Sequence, residues 1–148
     1  MSIKSARRLA KGLCASCYKS RGTNIRYCDS CLGSIRRSTA KLRQIERQEV
    51  LKRYGNICAF CGEGFIPFLT IDHINNDGHE HRTKFGNGLY AWLRRNNYPD
   101  GFQTLCFNCN CGKSKIGDIA VLQLLDEAGR LTETGRARLE SLRCSDES

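Results

Sequence analysis

Three short segments decide the fold: Cys58-Ala59-Phe60-Cys61-Gly62, then Leu69-Thr70-Ile71-Asp72-His73-Ile74, then Leu105-Cys106-Phe107-Asn108-Cys109-Asn110. The first and last each carry a CxxC pair, and 44 residues separate the pairs. Two-residue spacing lets both sulfurs of a tight turn face one tetrahedral ion. Cys58, Cys61, Cys106 and Cys109 are therefore predicted to form one four-thiolate zinc site. The gap is too long for a simple finger, so the metal is expected to pin the two ends of a larger unit together. Residues 65–74 and 102–105 run apolar or alternate with β-branched and aromatic side chains, which predicts short strands. The first of these ends on Asp72-His73.

Working outward, a second constellation precedes the first. Cys14 and Cys17 are separated from Cys28 and Cys31 by ten residues. This spacing predicts a small zinc ribbon over residues 1–33. A thioredoxin-like redox reading of CxxC needs a surrounding βαβ pattern, and the sequence has none. So short a segment cannot fold on an apolar core alone, so the metal is expected to supply its folding free energy. Cys111 follows a ligand by two residues, but CxxC spacing selects Cys109; Cys144 reads as a bystander thiol. The ten cysteines sit in a chain of 148 residues whose basic N-terminus is followed by no apolar stretch. No apolar run approaches the ~18 residues of a membrane span. Neither export nor a membrane is expected, and a reducing, cytoplasmic setting favours metal ligands over disulfides.

Charge is uneven along the chain. The formal net charge is +9, with +11 in residues 1–56, +1 in 57–115 and −3 in 116–148. A dense basic segment beside paired cysteines points to a polyanion partner, with nucleic acid foremost. Residues 34–54 read as one helix, with Ser34 as its cap, Gly55 as its stop and Ile35, Leu42, Ile45 and Leu51 as its apolar stripe. Arg36, Arg37, Lys41 and Arg43 lie on its other faces. Further helices are predicted at 88–96, at 117–128 with Gly129 as stop, and from Thr132 to about Arg143. Tyr90, Trp92, Phe102 and Phe107 are assigned to the core rather than to base stacking.

The combination of two CxxC knuckles, Asp72-His73 at a strand end and Asn110 directly after the last cysteine resembles the HNH nucleases. The nearer likeness is to the phage recombination endonuclease VII type of this ββα-metal family. The resemblance covers about residues 57–115 and implies a metal-dependent DNA endonuclease from a phage or mobile-element setting, of the homing type. It implies His73 as general base and Asp72 and Asn110 as ligands of a catalytic Mg²⁺, with both zinc ions structural. The residue types suit that chemistry. An imidazole titrates near neutral pH, and a carboxylate and an amide oxygen suit a hard divalent ion. Arg82, Lys84 and Lys113 join the basic helix as candidate phosphate contacts.

The expected fold is a small, zinc-stabilised α+β protein: zinc ribbon at 1–33, basic linker helix at 34–56, nuclease core at 57–115 and helical tail at 116–148. Where the family carries its central Asn this chain has none, and Asn87, Asn96, Asn97 and Gln103 are the open substitutes. Residues 75–100 are a longer insert than a minimal core needs. Its His79 and His81 are open to three readings: extra ligands, phosphate-facing groups, or a solvated loop tip. The acidic 116–143 region either packs on the core or makes a homodimer. The competing function is a zinc-finger nucleic-acid-binding module without catalysis.

Overall fold

The computed structural model describes residues 2–22 and 24–146. It is a small α+β protein whose described residues form seven α-helices and one two-stranded sheet. Chain order is α1 (Ile3–Ala10), α2 (Asp29–Tyr54), β1 (Leu69–His73), α3 (Gly78–Phe85), α4 (Leu89–Arg95), β2 (Phe102–Cys106), α5 (Phe107–Ile116), α6 (Asp118–Glu127) and α7 (Glu133–Asp146). A single 3₁₀ turn, Ile66–Phe68, leads into β1. The chain divides into two compact units, one ending at Ile45 and the other beginning at Glu46, so the boundary falls inside α2. No described helix is long and apolar enough to cross a membrane.

In the first unit, Ser2 caps α1 by accepting from the Ser5 N–H at 3.2 Å. Arg8 donates to the carbonyls of Ala15 and Ser16, both at 3.1 Å, and its guanidinium lies 4.4 Å from the Tyr18 ring centroid. Backbone bonds from Cys14 to Lys19 and from Ala15 to Arg26, each 2.9 Å, fold the intervening loops. Its buried described residues are Cys14, Ala15 and Cys28, so two of the three are cysteines and no large apolar side chain is among them. Helix α2 begins at Asp29, not at Ser34, because the Leu32 N–H already bonds the Cys28 carbonyl at 2.9 Å. Ser34 Oγ instead accepts from Arg37 inside the helix at 3.2 Å. Gly55 ends α2 with φ of 98°, a left-handed value that glycine adopts without strain. The predicted stripe is buried only toward that end: Ile35, Leu42 and Ile45 are exposed, while Val50 and Leu51 are fully buried.

In the second unit β1 and β2 pair antiparallel, with Leu69 opposite Cys106, Asp72 opposite Gln103 and His73 opposite Phe102. Leu69, Ile71 and Leu105 pack with Val50, Leu51, Phe60 and Leu93, and with Val121, Leu122 and Leu139 from α6 and α7. The tail therefore contributes to the core. The Cys58 knuckle closes through Cys58 N–H to Glu63 O at 2.8 Å and Gly62 N–H to Cys58 O at 3.0 Å. It is tied to β2 by Ala59 N–H to Thr104 O at 2.9 Å. Thr132 caps α7, accepting from Gly135 N–H at 3.0 Å, and its hydroxyl donates to Ala59 O. Arg47 is spent inside the unit, donating to the carbonyls of Ile66 at 2.8 Å and of Leu69. Helices α5 and α6 approach so closely at Gly112 that a Cβ there would lie 2.9 Å from Val121. Phe107, assigned to the core from sequence, is exposed: as the first residue of α5 it turns outward beside the buried Cys106.

Candidate functional site

The structure gathers both cysteine quartets. Cys14, Cys17, Cys28 and Cys31 bring their four sulfurs within 4.8 Å of one another, and so do Cys58, Cys61, Cys106 and Cys109. The Cys17–Cys28 and Cys61–Cys106 sulfur pairs stand at 3.6 and 3.7 Å. A disulfide needs about 2 Å, whereas a tetrahedron with metal–sulfur bonds of about 2.3 Å has edges near 3.8 Å. Each cluster can thus hold one zinc ion, and four thiolates leave no open position on it. Helix α5 starts at the second knuckle, where Cys109 N–H bonds Cys106 Sγ at 3.4 Å. Elemental analysis of protein purified under reducing conditions should find two zinc ions per chain; about one would remove one of the clusters.

A separate cleft of about 540 Å³ lies beside the sheet in the second unit. Asp72 and His73 reach it from the last turn of the pleat in β1, and Asn110 and Lys113 from α5, three residues apart on one helix face. Gly78, His79 and Arg82 reach it from α3. The arrangement follows from chain order: α5 leaves β2 without a loop and packs against β1.

Asp72 is 9% exposed, and its Oδ2 accepts from Gln103 Nε2 at 2.8 Å and from Lys113 Nζ at 2.6 Å. Lys113 also donates to the carbonyls of His73 at 2.6 Å and Ile74 at 3.4 Å, so its ammonium is fully engaged. Its side chain is 1% exposed. Lys113 was expected among the phosphate contacts. It is instead a buried counter-charge, because a carboxylate as enclosed as Asp72 is stable only when paired. Lys113→Met should destabilise the unit by about 3–5 kcal/mol, since it strands that carboxylate. Chemical denaturation checks this, and a loss under about 1 kcal/mol would mean that solvent reaches the pair.

His73 is half-buried, and burial holds its pKa below the ordinary imidazole value, against an opposing pull from the Asp77 carboxylate. It is therefore neutral and able to accept a proton at neutral pH. Its Nε2 stands 2.7 Å from Nδ1 of His81. His81 is buried among rings, with centroids of Trp92, Phe85 and Phe102 at 4.3, 5.0 and 5.8 Å. Of the four side chains open as substitutes for the missing Asn, Gln103 is the one bonded to Asp72. Arg82 is exposed at the cleft, whereas Lys84, also exposed, stands over the Phe85 ring at 5.2 Å. Arg36, Arg37, Lys41 and Arg43 are all exposed on the part of α2 that belongs to the first unit. The partners of His81 and Lys113 were not visible in sequence, apart from the three-residue spacing that sets Asn110 and Lys113 on one face. No family model, curated protein or solved structure matches the chain.

Proposed function

We propose that the protein is a metal-dependent DNA endonuclease of the HNH class, as its resemblance to the endonuclease VII type implies. One observation carries the reading: Asp72, His73 and Asn110, the trio that the family resemblance implies, line one cleft. The order of two antiparallel strands followed directly by a helix, with a cysteine quartet at its root, supports it.

The residues divide the work as follows. His73 takes the proton from the attacking water as it closes on phosphorus. Both bonds to Asp72 fall on Oδ2, and Oδ1 takes none from the described residues. That oxygen and the Asn110 amide oxygen are hard donors on one cleft, so they fit Mg²⁺ and would hold it. Bound there, the ion supplies charge neutralisation to the phosphate and to the leaving 3′ oxygen. Arg82, exposed at the cleft, meets a second phosphate oxygen. Gln103 and Lys113 hold Asp72 in place.

Incubation of supercoiled plasmid with the protein and Mg²⁺, with and without chelator, tests the proposal. Nicked or linear product that disappears with chelator is the expected result. The second reading, a zinc-dependent DNA-binding module without catalysis, draws on Lys113, whose ammonium already neutralises Asp72. It gains if the plasmid is bound yet stays supercoiled at every Mg²⁺ concentration.

DNA contact is assigned chiefly to the basic helix. Replacing Arg36, Arg37, Lys41 and Arg43 together by alanine removes four exposed charges. The slope of log K against log salt should fall by about 3–4, at ~0.9 per phosphate contact. Fluorescence anisotropy over a salt series checks this, and an unchanged slope would move the footprint elsewhere.

A further inference from the structure

His73 and His81 meet through Nε2 and Nδ1 at 2.7 Å. Two neutral imidazoles at that distance share one N–H and one lone pair, so two arrangements exist. In the first, His81 donates from Nδ1. Its Nε2 is then a bare lone pair, and the proton of His73 sits on Nδ1. In the second, His73 donates from Nε2, its Nδ1 is bare, and the proton of His81 sits on Nε2. Only the second leaves His73 a lone pair with which to accept a proton from water.

The surroundings of His81 decide between them. Its Nε2 is buried and meets no nitrogen or oxygen partner. A bare lone pair in that position would have no donor to serve it. What encloses the ring is aromatic: Trp92 at 4.3 Å and Phe85 at 5.0 Å, steeply inclined at 68° and 89°. Aromatic faces are electron-rich, so they attract an N–H and repel a lone pair. Nothing among the described residues donates to an Nε2 lone pair there, whereas a ring can accept an Nε2–H, so the arrangement these surroundings can serve has the proton on Nε2 and a free lone pair on Nδ1. That lone pair can be used only if His73 donates to it.

On the other side of the His73 ring, Nδ1 lies toward Gly78. A Cβ on that residue would come within 3.2 Å of Nδ1. Gly78 and His73 both line the cleft, and the missing side chain keeps this nitrogen open.

We infer that His81 is a positioning residue: caged by Trp92 and Phe85, it accepts the Nε2–H of His73 and so presents the bare Nδ1 of His73 to the cleft. The inference rests on the reading of His73 as the base, and it names the nitrogen that reacts and the residue that selects it. His81 belongs to α3, in the insert between the strands, so that insert becomes part of the reaction site.

The test has two arms. In the first, the zinc-loaded protein is labelled with ¹⁵N-histidine, and its tautomers are read from two- and three-bond ¹H–¹⁵N couplings at pH ~8, above the ordinary imidazole range. His73 and His81 should both carry the proton on Nε2; a proton on Nδ1 of His73 overturns the inference. The second arm compares His81→Phe with His81→Asn on supercoiled plasmid with Mg²⁺. Phenylalanine keeps a ring in the cage and removes the acceptor. Asparagine puts an amide oxygen as many bonds from Cβ as Nδ1 is. For the phenylalanine variant kcat should fall about 10–100-fold with KM unchanged, as for partners that orient metal-bound histidines. The asparagine variant should recover most of that loss. Wild-type kcat in His81→Phe, or an asparagine variant no faster than it at equal zinc content and melting temperature, overturns the inference. If cutting is absent the endonuclease reading fails alone, and if it is independent of His73 the assignment of the base fails; in both cases the tautomer arm still decides what His81 does.

Discussion

His73→Ala should stop plasmid cutting, by about 10²–10⁴-fold in rate, while zinc content and DNA affinity stay at wild-type levels. The side chain is only half-buried and the backbone it leaves is held by its neighbours. Lys113 bonds the His73 carbonyl, and Asn76 N–H bonds the same oxygen at 3.2 Å. The loss should not be recovered by raising Mg²⁺, because a missing proton acceptor is not replaced by metal. Asn110→Ala gives the contrasting failure: it removes a neutral oxygen donor, so part of its loss should return at higher Mg²⁺. Asp72→Ala is a poorer probe of the metal, since it also strands the buried ammonium of Lys113 and so weakens the fold. A gel time course over a Mg²⁺ series separates these behaviours. Full activity in His73→Ala would end the HNH assignment with His73 as base, whereas DNA binding without cutting in the wild type would leave the DNA-binding module in its place.

Removing zinc should unfold the protein. In the second unit Cys58, Cys106 and Cys109 are themselves members of the core, packed with Leu69, Leu105 and Phe60. Without metal the four thiols divide their protons unevenly. A hydrogen bond donated by Cys109 draws Cys58 down to about 5, while burial pushes Cys61 up to about 11. A zinc ion in such a site is worth about 10–16 kcal/mol, against a typical domain stability of about 5–15 kcal/mol. The first unit depends on metal still more, since Cys14, Ala15 and Cys28 are its only buried described residues. Circular dichroism after treatment with a strong chelator should show loss of helix and of a cooperative melt, restored by two equivalents of zinc. A metal-free protein with a native spectrum and unchanged melting would refute the role assigned to both clusters.

The cysteine quartets were legible because their spacing is local chemistry: each CxxC turn declares its ion without reference to the rest of the chain. β1 and α6 were legible from apolar patterning, and the stops at Gly55 and Gly129 from the residue type, since glycine adopts without strain the left-handed backbone that both show. Helix α3 was not. Its residues Gly78-His79-Glu80-His81-Arg82-Thr83-Lys84-Phe85 show no aliphatic stripe, and the turn it buries is made by His81 within an aromatic cage. Lys113 was misplaced for a related reason. Lysine is ordinarily a surface residue, and the carboxylate that draws it inside lies 41 positions earlier in the chain. Gln103 stood among four equal choices until strand register set it opposite Asp72. Part of the α2 stripe showed the converse: Ile35, Leu42 and Ile45 have helical spacing but remain exposed. Spacing reports a face, not what covers it.

The separation of the two knuckles of the second cluster also sets a timetable for synthesis. A ribosome adding about 5–20 residues per second needs roughly 2–9 s to make the 44 residues between Cys61 and Cys106. During that interval β1 has emerged but β2 has not, so Leu69 and Ile71 lack the partner strand that later pairs with them. An unpaired apolar strand is an invitation to mispair. The first cluster has no such exposure, because its knuckles are ten residues apart and both are outside within about 2 s. The N-terminal unit can therefore take up its metal and fold while the second unit is still half made. The second unit is therefore the one left incomplete longest during translation, and its failure would appear as aggregation of new chains rather than inactivation of old ones.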